Sequence, residues 1–168
     1  GGDAIVTIGG IDEVAGLFGK KIAVAPATPS HTFLLWMLDV GGLSVQDVEI
    51  IEVASAIDAA AAFKAGTVEA AVVWSPDDAG CINAVSGSKV LINSKQATHI
   101  IADGFMVKES VFKQKREQLT KLVEGWLTGS EEINNNPSAK KKASQILASA
   151  FDGFGESDAL DAINNVRL

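Results

Sequence analysis

The chain has 168 residues, 47% hydrophobic and 21% charged, a composition that suits a packed domain and excludes a disordered tail. Its formal charge of −7 argues against nucleic acid or an anionic membrane surface as partner, since both select clustered Lys and Arg. The single cysteine, Cys81, can form no disulfide within the chain and leaves no thiolate set for a metal.

In chain order, Ala4–Ile8 is a short β-prone run closed by Gly9-Gly10, and Ile11–Phe18 reads as a brief helix. Lys21–Ala25 is almost wholly apolar, as a buried parallel strand should be. A loop over Pro26–Ser30 follows, then a helix with a dense apolar face over Thr32–Val40, stopped by Gly41-Gly42. Val48–Val53 is the next strand. Ser55 and Asp58 have capping-box spacing and open an alanine-rich helix that ends at Gly66. Val68–Trp74 is another buried strand. Ser75-Pro76-Asp77-Asp78 after it has the form of a helix start: Ser as cap, Pro at the first helical position, acids in the first turn. Lys89–Ile92 and Ile100–Val107 are the last strand candidates.

The final third changes character. Ser110–Ile133 carries Phe112, Leu119, Leu122, Val123, Trp126 and Leu127 at helical spacing, which predicts one long amphipathic helix. Asn134–Pro137 breaks it, and Ala139–Phe151 and Ser157–Val166 predict two more helices. The basic run Lys140–Lys142 reads as a solvated face. The pattern is α/β: a doubly wound, mostly parallel sheet followed by C-terminal helices.

Two strand-to-helix junctions carry the candidate site. Ligands of doubly wound sheets lie beyond the carboxyl ends of strands, against helix N-termini whose free N–H groups favour anions. Ala25–Thr32 is one such junction, with hydroxyls at Thr28, Ser30 and Thr32 and an imidazole at His31. The same hydroxyls also serve as plain helix caps. Trp74–Asp78 is the other, where Trp74 offers a flat apolar wall with one N–H donor and Asp77 offers a carboxylate. Packing by the Trp and dipole service by the acids is the competing account. Catalytic templates are lacking: there is no phosphate-binding glycine loop and no G-x-S-x-G elbow. His31 and His99 show no metal-ligand spacing, and His99 reads as a structural or minor cleft residue. No metal, cofactor or catalytic residue is expected.

The ordered set Gly19–Val24, Thr28–Leu35, Val48–Ile50, Asp58–Gly66 and Val68–Pro76 resembles the substrate-binding proteins of ABC importers. The matching group is the nitrate, sulfonate, taurine and thiamin-precursor (NMT1-like) binders. The resemblance implies a type II periplasmic-binding-protein fold, in which two α/β lobes close on a solute. On that pattern residues 1–9 are an outgoing hinge segment and 10–101 the ligand-binding lobe. Residues 102–168 form the return strand and the helices that belong to, or pack on, the other lobe. It further implies non-catalytic binding of a small polar or anionic solute, delivery to an ABC permease, and a periplasmic or extracytoplasmic location. Thr28, Ser30, His31 and Thr32 then meet the solute's head, Trp74 and Asp77 oppose them, and Asp3 is the hinge contact. Pro29 departs from the family's small polar residue and removes one backbone donor from the anion site.

The stretch Ala162–Leu168 is similar to a subgroup associated with phosphate-type solutes, some of whose members carry a wall-binding domain. Two alternatives remain. A thiamin-pyrimidine-synthase-like enzyme shares the fold but depends on a cysteine-rich iron motif, which Cys81 alone does not supply. A regulatory doubly wound domain needs a phosphoacceptor Asp at a strand end, and no strand here ends in Asp.

Overall fold

The computed structural model describes residues 2–97, 100–151 and 155–165. His99 and Val166–Leu168, named above, lie outside the described residues. The strands are β1 (Asp3–Thr7), β2 (Lys21–Val24), β3 (Glu49–Glu52), β4 (Ala70–Trp74) and β5 (Lys89–Asn93). They form one sheet in the order β3-β2-β4-β1-β5. β2 is parallel to β3 and β4, whereas β1 is antiparallel to both β4 and β5. Among the described strands, then, four share one direction and β1 alone opposes them.

Period-two side-chain alternation gives this sheet two apolar faces. Ile5, Ile22, Val24 and Val72 point to one face, where Phe33, Leu34, Met37 and Leu38 of α1 (Pro29–Val40) cover them. Val6, Ala23, Ala71 and Val73 point to the other, under Ala59, Ala60 and Phe63 of α2 (Ala56–Lys64) and Cys81 of α3 (Asp77–Ala84). Each large side chain so buried contributes about 1.5–3 kcal/mol. The crossover from β2 to β3 uses α1 on one face, and that from β3 to β4 uses α2 on the other. The chain thus switches sides between β2 and β4, the usual place for a ligand crevice.

Local chemistry sets the helix ends. α1 starts at Pro29, three residues before the expected Thr32, because Pro29 is preset for the first helical position and the Thr28 hydroxyl accepts the His31 N–H at 3.3 Å. Gly42 (φ 74°) and Gly66 (φ 71°) adopt the left-handed conformation that lets α1 and α2 end. The expected cap at Ser75 is not made. Pro76 holds the cap position of α3, and the Ser75 hydroxyl bonds the Asp78 carboxylate at 3.1 Å instead of a backbone N–H.

Two further expectations are corrected. The strand expected over Ile100–Val107 is not formed: its backbone finds no ladder to join among the described residues, and a strand needs one. The helix expected over Ser110–Ile133 is two, α4 (Glu109–Gln114) and α5 (Arg116–Asn135), parted at Lys115 (φ −124°, ψ 27°) without a Gly or Pro to announce it. α6 (Pro137–Ala150) begins at the expected break, where Asn136 Oδ1 accepts from the N–H groups of Ser138 and Ala139. α7 (Glu156–Asn165) packs on α6, and α6 on α5. Among the described residues, no helix is long and apolar enough to cross a membrane.

Candidate functional site

β1 is the key to the site because it runs backwards. In a parallel set, the loops after β2 and β4 open at one end of the sheet. An antiparallel strand brings its first residue to that same end. Asp3 therefore stands in register with Trp74, the last residue of β4, and Ala4 with Asn93, the last of β5. The first turn of α1 arrives there from β2.

Three side chains from three elements meet at this point. The Ser30 hydroxyl donates to Asp3 Oδ1 at 2.6 Å, and the Trp74 indole Nε1–H donates to Ser30 Oγ at 2.7 Å. Ser30 is fully buried and Asp3 only 8% exposed, while Trp74 keeps 43% of its surface open. Burial pushes the Asp3 carboxyl above its ordinary range. The Ser30 hydrogen bond, with the Trp74 indole N–H beyond it, opposes that shift, and the nearby Asp103 carboxylate adds to it. The backbone of Asp3 is held by Ser94: Asp3 N–H donates to Ser94 Oγ at 3.2 Å, and Ser94 N–H to the Asp3 carbonyl at 2.8 Å. Ser94 was missed from sequence, although a small hydroxyl just past a strand's carboxyl end is the same signal that drew attention to Ser30.

The start of α1 lines an open cavity of about 420 Å³, walled by Ala27, Thr28, Pro29 and Thr32 on one side and by Ile100–Ala102 on the other. Thr28 is spent as a cap: its hydroxyl donates to the Ala25 carbonyl at 2.7 Å while accepting the His31 N–H. Ala27, at φ 57°, turns its N–H onto His31 Nδ1 at 3.3 Å. Neutral His31 therefore accepts at Nδ1 and carries its proton on Nε2. Thr32 Oγ1 makes only a 3.5 Å contact to the Thr28 carbonyl and stays exposed on the cavity wall.

The sequence-derived set thus divides. Asp3, Ser30 and Trp74 form one hydrogen-bonded chain, and Thr28 and Thr32 share a cavity wall, to which His31 is tied through its bonds with Ala27 and Thr28. Asp77 stands apart: it is the first residue of α3, and no hydrogen bond or ion pair joins it to the others among the described residues. Cys81 is fully buried on α3, and burial pushes its thiol up to about 11, so it offers no nucleophile at neutral pH. Among the described residues, no group of three or more His, Cys, Asp or Glu is placed to hold a metal.

Comparison with known proteins adds four findings. Residues 12–148 match the profile of the NMT1-like family. A Bacillus subtilis (strain 168) protein named for binding aliphatic sulfonates is 38% identical over 106 residues, covering 63% of this chain and 31% of its own length. The crystal structure of the periplasmic aliphatic sulphonate binding protein SsuA from Escherichia coli superposes with a TM-score of 0.79 at 21% identity, covering 99% of this chain and 52% of SsuA. The desulfurisation enzyme DszB, crystallised as a mutant in complex with biphenyl-2-sulfinic acid, shares the fold more distantly, with a TM-score of 0.58 at 17% identity over 98% of this chain and 58% of its own. This chain spans about a third of the Bacillus relative and half of the two solved proteins.

Proposed function

Because the chain belongs to the NMT1-like family, we propose that it forms one lobe of a solute-binding protein that serves an ABC-type importer outside the cytoplasmic membrane. The solute is a small organic anion with an apolar body, of the sulfonate class. What carries this reading is the convergence of the α1 start and Trp74, from strands β2 and β4, on one end of the sheet. The anionic head would meet the α1 N-terminus, Thr32 and the Nε2–H of His31, and the indole face of Trp74 would take the apolar body. Thr28, Ser30 and Asp3 shape that site from behind. Asp77 has a weaker case, since it serves the α3 dipole. The sulfonate-named relative supports the choice of anion.

Enzymatic chemistry of a cysteine kind finds no support, since the one thiol is buried and protonated. A micromolar solute needs about −8 kcal/mol, and an exposed helix terminus supplies only about 0.3–1 kcal/mol. The second lobe must supply the rest by enclosing the solute, so this chain alone binds weakly. The test is amide shift mapping on 15N-labelled chain with hexanesulfonate, using hexyltrimethylammonium as the cationic control. Millimolar binding is expected to move Thr28–Thr32 and the Trp74 indole, and to weaken in His31→Ala. Shifts confined to other surfaces, or equal response to the cation, would sink the reading.

A further inference from the structure

Trp74 ends its strand with almost half its surface open, a setting in which an indole ordinarily samples several rotamers. Here its orientation is decided by chemistry behind it. An indole N–H can only donate, and an ionised carboxylate can only accept. A hydroxyl between the two must therefore accept from the first and give its one proton to the second. Ser30 sits in that place, at 2.7 Å from Trp74 Nε1 and 2.6 Å from Asp3 Oδ1. Reversal of this hydrogen-bond chain is impossible while Asp3 is charged. Asp3 in turn has little freedom: it lies inside the β1 ladder opposite Trp74, and Ser94 holds its backbone on the other edge.

We propose that Asp3 is a positioning residue which, through the Ser30 hydroxyl, fixes the plane of the Trp74 indole and ties it to the first turn of α1. The two walls of the candidate cleft then form one rigid unit. The sequence-based expectation that Trp74 offers a solute its N–H is revised by the same geometry. That donor is consumed internally, and the indole presents its π face and apolar edge. Naming these surfaces cleft walls rests on the solute-binding reading, but the relay itself does not, and its test uses no ligand.

The test is the hydrogen-exchange rate of the three indole N–H groups (Trp36, Trp74 and Trp126) in 15N spectra of the whole chain, with Trp74→Phe assigning the resonance. Trp74 should exchange about tenfold or more slowly than Trp126, because its acceptor is a buried hydroxyl polarised by its own bond to the Asp3 carboxylate. Ser30→Ala and Asp3→Ala should each remove that protection and shift the Trp74 resonance while Trp36 and Trp126 keep theirs. If Asp3→Ala does not fold, Asp3→Asn keeps an acceptor oxygen without the charge and should lose part of the protection. Wild-type protection of Trp74 in folded Asp3→Ala or Asp3→Asn would overturn the proposal. So would fast exchange of Trp74 in the parent chain. A protected, Asp3-dependent Trp74 in a chain that ignores sulfonates would retire the solute reading and leave the relay standing.

Discussion

The two halves of this molecule spend their apolar residues differently. In the α/β lobe, strands and helices face one another across both sides of the sheet, and Phe33, Phe63, Ile5 and Val72 are wholly buried. In α4–α7 the helical periodicity is as clear, yet Trp126 is 55% and Leu127 60% exposed, and the buried residues are small: Ser130, Ser144 and Ala159. Amphipathic spacing predicts that a face wants a partner; it does not supply one. The strands with α1–α3 enclose a finished core, whereas α5 leaves large apolar side chains exposed among the described residues.

The largest effect that would sharpen this contrast is in the lobe. Phe63→Ala should cost about 3–5 kcal/mol in urea unfolding, because the side chain is buried between α2 and the sheet. A loss below that range would mean that the lobe's core relaxes as readily as the helices do. Ser30→Ala should cost about 1–3 kcal/mol, since it strands the Trp74 donor and the buried Asp3 carboxylate. At the other extreme, Trp126→Ala should change stability by less than about 1 kcal/mol, since the residue is 55% exposed and its ring packs edge-on against Phe105 at 5.6 Å. A large loss there would show that α5 already has its partner.

Acid response tests the same division between buried and exposed groups. Asp3 is raised above 3.8, chiefly by burial. Between 3.8 and its folded value the folded chain keeps a proton that the unfolded chain has released. Its contribution to stability therefore falls as pH rises through that window, then levels. Exposed Asp47 is lowered by the hydroxyl and the N–H of Ser44, so its contribution is present above 3.8 and is lost as pH falls through the folded value. Asp3→Asn should flatten the first slope and Asp47→Asn the second, in urea titrations run from about pH 3 to 7. The same slope at Asp3 in both proteins would place its carboxyl in water, against the burial seen here.

Much of the lobe was legible because its cues are short-range. Apolar runs such as Ile22–Ala25 and Ala70–Val73, capping hydroxyls at Thr28 and Ser55, and stops at Gly42 and Gly66 each act within a few residues. Failures came where the decision was not local. Ile100–Val107 has the apolar content of a strand but no edge to pair with among the described residues. Lys115 parts two helices within one continuous apolar period.

Sequence by itself determined the alternation of strands and helices, their two apolar faces and the two hydroxyl- and Trp-bearing junctions, because residue spacing encodes them. Only the tertiary structure decided that β1 runs against its neighbours. That reversal carries Asp3, 27 positions from Ser30, to the open end of the sheet and assigns Ser30 to the interior and Trp74 to the surface. Strand direction is a property of the assembled ladder, not of any segment within it.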